Sequence, residues 1–257
     1  MEYERFADIY DVWTSTAPSA RANYGFYLDL YRRASGMAVE LGVGDGRIAV
    51  DAAATAQQMI GVDLSPAMLA RCRSRAEAAG VSHRLTLIEA DFRSFRLPGL
   101  AELITLPYHS IGHLPSLETK RDAIGHIYSQ LRPGGRFVFD DFFMTPERLA
   151  YLQQVQLRAE YHTTDGRHVL LWVTSIVDAA RQAMRVVTWE DTLDSDGRMA
   201  DRRYRMLSLT WLRPDESKVL LEDAGFRVEA CYGDFAGTPF DEAHALEQVW
   251  VARKDAA

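Results

Sequence analysis

The sequence of 257 residues contains a glycine-rich turn whose residue types suit ligand binding. Residues 40 to 46 read Glu-Leu-Gly-Val-Gly-Asp-Gly and lie where an apolar run, Met37 to Val43, passes into a predicted helix. Each glycine removes a Cβ that would keep a ligand away from the backbone N–H groups. Alone, such a turn is equally compatible with a purely structural role.

Two acidic positions follow the turn, each at the end of a predicted strand. Asp63 ends the next predicted strand, 19 residues after Gly44, the spacing at which an acid reaches ribose hydroxyls in nucleotide-binding α/β folds. Asp91 and Phe92 end the third predicted strand, where a carboxylate could accept from an exocyclic amine and a ring could pack on a purine. The order G-x-G-x-G disfavours a dinucleotide site, and Glu40 would repel phosphate but suit a ligand that carries a cation.

Two histidines follow the fourth predicted strand, Leu100 to Leu106. They are His109 and His113, within the segment Pro107 to Leu114. Ligands bind at the carboxyl ends of the strands in open α/β sheets, so reacting groups are expected in this segment. A neutral histidine can take the proton that an amine must lose.

Patterning predicts the elements that position these residues. Short apolar runs alternate with helical stretches from Met37 to Phe139, which is typical of βα units and a parallel sheet. After about Tyr151, β-rich segments joined by Asp-Gly turns predict an antiparallel cap. The predicted domains are an N-terminal helical lid at 1–35, a Rossmann-like domain at 36–150 and 213–257, and a cap over the acceptor site at 151–212.

Composition restricts the class of protein. The chain is 47% hydrophobic and 25% charged with a net charge of −7, which excludes a disordered chain and disfavours nucleic-acid or membrane partners. Cys72 and Cys231 lie far apart, and the seven histidines show no metal-ligand spacing, so no metal is expected. Without a signal peptide or a membrane span, the protein is predicted to be cytoplasmic.

Over essentially the whole chain, these motifs resemble the class I S-adenosylmethionine-dependent methyltransferases. The resemblance rests on residues 40–46, Asp63, Asp91-Phe92 and the turn at 131–135, with Val43 and Asp45 departing from the commoner Cys and Thr. It implies a Rossmann-like seven-stranded α/β sheet with S-adenosylmethionine as cofactor and S-adenosylhomocysteine as product. The implied cofactor-binding residues are Tyr24, Glu40, Gly42, Gly44, Gly46, Asp63, Leu64, Met68, Asp91, Phe92 and Leu106.

Within that class the sequence is most similar to glycine N-methyltransferase and the bacterial amino-sugar N-methyltransferases. Residues 110–114, Ser-Ile-Gly-His-Leu, fit their acceptor-loop pattern, whereas His109 replaces a residue that is usually Asn or Phe. The resemblance implies methyl transfer to an amine of a small molecule, such as an amino sugar or another secondary-metabolite amine. The predicted catalytic residues are His113 first, then His109 and Tyr10, and the predicted acceptor-binding residues are Trp13, Asp141, Phe142 and Phe143.

Other functions stay open at this point. The fold does not dictate the acceptor atom, so a small-molecule O-methyltransferase is the main alternative. A regulator that binds S-adenosylmethionine without turnover is a second alternative, and a nicotinamide dehydrogenase is a distant third. The cap could also offer an exposed edge for pairing between copies of the chain.

Overall fold

A computed structural model describes residue 6 and residues 8–256, without the side chains of Pro18 and Ser19. The chain divides into two compact units. The first holds the described residues up to Pro18 together with Met144–Trp211, and the second holds Ser19–Phe143 together with the chain from Leu212 onward. The predicted assignment of these regions as lid, cofactor domain and cap stays a prediction, and residues 1–5 and 7 of the predicted lid lie outside the described residues.

Helices and strands alternate along most of the chain. In chain order they are α1 Tyr10–Thr16, α2 Pro18–Arg33, β1 Met37–Leu41, α3 Ala49–Ala53, β2 Gln58–Asp63, α4 Pro66–Ala78, β3 Leu85–Glu89, β4 Ala101–Leu106, α5 Leu117–Gln130, β5 Leu131–Phe142, α6 Pro146–Leu152, β6 Gln156–His162, β7 His168–Asp178, β8 Ala183–Leu193, β9 Met199–Thr210, α7 Pro214–Asp223, β10 Phe226–Tyr232 and β11 Glu247–Lys254.

The second unit contains a seven-stranded sheet in the order β10-β11-β5-β4-β1-β2-β3. β1 to β5 pair in parallel, whereas β11 is antiparallel to both β5 and β10. The predicted Rossmann-like α/β fold is therefore confirmed. β5 begins at Leu131, inside the stretch assigned to a turn at 131–135, because Leu131 already pairs with Ala101 before a register shift.

Helices cover both faces of this sheet, as a mainly parallel sheet requires. On one face, Val39 and Leu41 of β1 belong to a buried cluster with Ile124 of α5. On the other face, Ala38 belongs to a second buried cluster with Leu69 of α4. Successive β1 residues thus contribute to opposite cores, as expected when side chains alternate along a strand.

The first unit contains an antiparallel sheet in the order β6-β7-β8-β9. Leu171, Val186 and Leu207 lie in one buried face of this sheet, which is antiparallel as the Asp-Gly turns predicted. β9 begins at Met199, because the β8–β9 ladder continues to the pair Leu193–Met199. In the described part of the chain, no helix is long and apolar enough to cross a membrane.

Capping of α5 gives a test of local stability. Ser116 Oγ accepts from Thr119 N–H at 3.2 Å, and the Thr119 hydroxyl oxygen accepts in return from Ser116 N–H at 3.2 Å. We expect Ser116→Ala to lower the free energy of unfolding by about 1 kcal/mol in urea denaturation. Ser129→Ala, an exposed change near the end of the same helix, is the control and should stay within about 0.5 kcal/mol of wild type. Equal stability of the two variants would contradict the capping role.

Candidate active site

The carboxyl ends of β1, β4 and β5 share one edge of the seven-stranded sheet. Because β11 runs antiparallel to β5, its first residue, Glu247, pairs with Phe142 at that same edge. The loops after β1, β4 and β5 therefore meet at the start of β11. This edge carries most of the residues that the sequence predicted to be functional.

The three glycines of the turn have a left-handed backbone. Gly42, Gly44 and Gly46 have φ values of +66°, +57° and +79°, a region that side chains with a Cβ rarely adopt. A Cβ at Gly42 would lie only 3.2 Å from Ser110 Oγ, so a side chain at this position would be crowded by the loop after β4. The turn that could hold a cofactor thus lies next to the histidine segment.

Asp63 fixes the shape of the turn from the end of β2. One carboxylate oxygen accepts from Gly44 N–H and the other from Ser65 N–H, each at 2.8 Å. Burial raises the pKa of the Asp63 carboxyl, and the backbone N–H groups oppose that rise. A carboxylate oxygen can accept more than one hydrogen bond, so Asp63 retains capacity for ligand hydroxyls.

Glu40 is a buried acid beneath the turn. Its Oε2 accepts from the Tyr31 hydroxyl at 3.0 Å, and Tyr31 also shares a short hydrogen bond with Thr105. Burial raises the pKa of Glu40 to about 8, against the opposing effect of the Tyr31 hydrogen bond. A cation placed beside Glu40 would favour the ionised carboxylate.

Polar groups of α2 and α3 lie beside the turn. Arg47 Nη2 donates to Asn23 Oδ1 at 2.8 Å, while Asn23 Nδ2 is buried without a hydrogen-bond partner among the described residues. Tyr24 donates a short hydrogen bond to Asp51. An unsatisfied buried donor is costly, so Asn23 marks a position where a ligand acceptor would be stabilised.

The remaining predicted cofactor residues follow β2, β3 and β4. Met68 and Leu106 are fully buried, whereas Leu64 is 47% exposed. Asp91 binds Arg93 at 2.5 Å, and this hydrogen bond lowers the pKa of the Asp91 carboxyl. Phe92 packs against the core cluster on that face of the sheet.

The loop after β4 is held in an unusual conformation by Asp140. Tyr108 and His109 have φ values of +61° and +56°, which cost energy in residues other than glycine. Their N–H groups donate to the two carboxylate oxygens of Asp140, each at 2.9 Å. The Tyr27 hydroxyl donates to Asp140 at 2.5 Å, and burial raises the pKa of this fully buried carboxyl.

His109 lies between two carboxylates and an aromatic ring. Its Nε2 is 2.9 Å from Glu247 Oε2 and 3.7 Å from Asp140 Oδ2. Its ring stacks on Phe142 with 3.8 Å between centroids. An ionised Glu247 only accepts, so it favours the tautomer with the proton on Nε2 and makes Nδ1 the basic nitrogen. The carboxylates also stabilise the imidazolium that forms when His109 takes a proton.

The other predicted residues of this edge have different surroundings. His113 ends a short 3-10 helix, Ser110–His113, and is half-buried. Asp141 is fully buried and accepts from the N–H groups of Leu212 and Phe142, each at 2.8 Å, and burial raises its pKa to about 6. Phe143 contacts the Phe240 ring edge-on. Burial at Asp141 favours a structural role over the predicted contact with the acceptor.

Tyr10 and Trp13 belong to the first unit. Tyr10 is buried in α1, and its carbonyl accepts from the Thr14 hydroxyl at 2.9 Å. Arg158 lies over the Trp13 ring at 4.9 Å. The predicted roles of these two residues at the acceptor stay predictions, as do the roles assigned to the residues of the second unit.

Sequence reasoning missed Glu247 as the partner of His109 and Tyr27 as a partner of Asp140. It also gave no functional role to Tyr27 and Tyr31, although both phenols donate to buried acids. The available signal was their i, i+4 spacing on a helix directly before β1. Among the described residues, no group of three or more His, Cys, Asp or Glu side chains could hold a metal ion.

Comparison with known proteins finds a similarity to methyltransferase domains. Residues 38–135 match the family described as "Methyltransferase domain". The carboxy-S-adenosyl-L-methionine synthase of Chromohalobacter salexigens is 29% identical over 140 residues, which cover 53% of this chain and 48% of that protein. The chain thus spans only about half the length of that relative.

Solved structures share the fold over nearly the whole chain. The CcbJ methyltransferase from Streptomyces caelestis has a TM-score of 0.82 at 22% identity, covering 98% of this chain and 96% of the other. The sugar N-methyltransferase KedS8 from Streptoalloteichus sp. has a TM-score of 0.70 at 19% identity, covering 91% and 87%. Residues 38–135 are therefore similar to a methyltransferase domain, and the chain shares the fold of these solved structures.

Proposed function

We propose that this protein transfers a methyl group from S-adenosylmethionine to an amine of a small molecule. When bound, this cofactor supplies an electrophilic methyl group on a sulfonium. The observation that carries the proposal is the close approach of the glycine turn to a loop whose histidine lies between two buried carboxylates. Such an arrangement supports both the binding of a cationic amine and the removal of its proton.

The residues present fit the cofactor. Asp63 would accept from the ribose hydroxyls, and Glu40 would accept from the ammonium of the methionine part. Asn23 Nδ2 supplies a buried donor that lacks a partner among the described residues, and Arg47 beside it supplies positive charge. These two groups would hold the carboxylate of the methionine part, with Tyr24 nearby on the same helix.

The surroundings of His109 favour an amine over a hydroxyl acceptor. A protonated amine is attracted by the carboxylates of Asp140 and Glu247, whereas a neutral hydroxyl gains little from them. His109 would then take the amine proton, and Phe142 would line the acceptor side of its ring. The sugar N-methyltransferase KedS8, which shares the fold, supports an amino sugar as the acceptor class.

His109 thus becomes the first candidate base and His113 the second. Most of the rate enhancement in such a displacement comes from aligning the acceptor nitrogen, the methyl carbon and the sulfur. Tyr10, Trp13 and Phe143 are proposed to contribute to this alignment.

Cofactor binding tests the first half of the proposal. We expect S-adenosylhomocysteine to bind the wild type in calorimetry and to bind Asp63→Asn more weakly by about 1 to 3 kcal/mol. Asp29→Asn, an exposed change on α2, is the matched control and should bind like the wild type. A wild type that binds no S-adenosylhomocysteine would overturn the proposed function.

We expect Glu40 to lose a proton when the cofactor binds. Because its pKa is raised to about 8, Glu40 is mostly protonated at pH 7, and an ammonium placed beside it favours the ionised form. Calorimetric titrations at pH 7 in two buffers of different ionisation enthalpy should therefore reveal proton release. Glu40→Gln should abolish that release, and an unchanged release in this variant would contradict the assignment.

The base is tested by kinetics on a panel of amino sugars and their hydroxyl counterparts. We expect methyl transfer to the amines, with His109→Asn lowering kcat by roughly 10²- to 10⁴-fold. Glu247→Gln removes a negative charge that stabilises the imidazolium of His109, so His109 should become harder to protonate. The acid limb of the pH–rate profile of this variant should therefore move to lower pH.

His83→Asn, on an exposed turn, serves as the control for these kinetics. Transfer to hydroxyl sugars alone would establish the O-methyltransferase alternative. Full activity of the His109→Asn variant would show that His109 is not the base.

A further inference from the structure

Lys120 is a fully buried lysine in the apolar face of α5. It is 1% exposed, and the buried residues Ala123, Ile124 and Ile127 continue the same face at helical spacing. Lysine is almost never fully buried unless its ammonium has a partner, because burial disfavours the charged form. An apolar side chain of similar size would fill this position without that cost. The position therefore indicates a role for the ammonium group itself.

The Lys120 ammonium binds the loop after β4. Its Nζ donates to the carbonyl oxygen of Ile111 at 2.8 Å. The same carbonyl oxygen accepts from Leu114 N–H at 3.2 Å, at the end of the 3-10 helix Ser110–His113. A single buried acceptor thus joins α5 to the segment that carries the candidate bases.

This loop, which we define as the acceptor loop, residues 107–114, is fixed at two points. Asp140 accepts from two consecutive N–H groups at its start, and Lys120 donates to a carbonyl in its second half. Between these points, Gly112 N–H donates to the His109 carbonyl at 2.9 Å. A carboxylate therefore fixes one half of the loop and an ammonium fixes the other.

The charge of Lys120 depends on its buried surroundings. Burial lowers the pKa of Lys120 to about 8, against the opposing charges of Asp141 at the end of β5 and Glu216 of α7. Glu216 itself accepts from Arg213 N–H at 2.8 Å and from the Arg213 guanidinium at 2.9 Å. The Lys120 side chain is thus mostly charged at pH 7 and loses its proton above about pH 8.

We propose that Lys120 is a positioning residue, whose ammonium holds the Ile111 carbonyl and so keeps the acceptor loop in the shape that presents the candidate bases. It acts through the backbone and need not touch the acceptor. The catalytic part of this inference rests on the proposed methyl transfer, whereas the contact with the loop does not. A charged donor forms the stronger hydrogen bond, so the loop should loosen when Lys120 loses its proton.

Amide hydrogen exchange of the full chain, measured by mass spectrometry, tests the contact with the loop without any activity. We expect Lys120→Met to exchange at least ten-fold faster than the wild type in peptides covering 107–114, because local opening becomes easier. Peptides covering β1 and β2 should exchange as in the wild type. Lys218→Met, the same change at an exposed position of α7, is the matched control and should leave the loop unchanged.

The pH dependence of exchange gives a second measurement on the wild type alone. After correction for intrinsic exchange, protection of the acceptor loop should fall as the pH rises through about 8, where Lys120 loses its proton. Lys120→Met should lack this dependence. If the variant does not fold, loop protection in the wild type that stays constant across this pH range overturns the inference.

Kinetics test the catalytic consequence. In Lys120→Met we expect kcat with an amine acceptor to fall by roughly ten-fold, because the reacting groups are less well aligned. The affinity for S-adenosylhomocysteine should be unchanged, since Asp63 holds the glycine turn. The wild-type kcat should decline above about pH 8, and this basic limb should be absent from the variant. A lysine that only supported the fold would produce neither the split between kcat and affinity nor the lost limb.

The outcomes separate this inference from the proposed function. Unchanged loop exchange in Lys120→Met would overturn the inference, and so would faster exchange in every part of the chain. Faster loop exchange with unchanged kcat would show that Lys120 does not position the reacting groups. A wild type that transfers no methyl group would overturn the proposed function, while the exchange measurements would still decide whether Lys120 holds the loop.

Discussion

The buried carboxylate of Asp140 holds the candidate active site in its working shape. It accepts hydrogen bonds from the N–H groups of Tyr108 and His109, two consecutive residues with a left-handed backbone. Each such residue costs about 1 to 2 kcal/mol in strain. Without the two charge-assisted hydrogen bonds to Asp140, the loop would relax and His109 would leave Glu247. The position of the candidate base is therefore set by a residue that need not contact the acceptor.

A single helix connects the two buried acids of the site. Tyr27 and Tyr31 lie one turn apart on α2, and their hydroxyls donate to Asp140 and Glu40. Burial raises the pKa of both phenols, with the nearby carboxylates adding to the rise, so each phenol stays protonated and remains a donor. The proposed cofactor side and the proposed acceptor side are thus fixed relative to each other by one rigid element. A shift of α2 would disturb both.

The sequence predicted the local parts of the site and missed the distant ones. The glycine turn, Asp63 and the histidine segment are recognisable because their residue types and spacing lie within a short stretch. Glu247 lies 138 residues from His109, and only the antiparallel insertion of β11 beside β5 brings them together. Asp141 was predicted to bind the acceptor together with its neighbour Phe142. Its carboxylate instead accepts a hydrogen bond from the N–H group of Leu212 inside the protein. Which side chain at a strand end turns inward depends on packing that no local pattern encodes.

The pairing of β11 with β5 has a consequence for how the protein folds. The whole of Met144–Trp211 lies between these two strands in the chain, so they meet only after a long segment has been looped out. Closing a long loop is entropically unfavourable, and contacts of large sequence separation form slowly. The strands from β1 to β5 can associate through shorter connections. We therefore expect the glycine turn to form early in folding. The hydrogen bond between His109 and Glu247 should form only near the completion of folding.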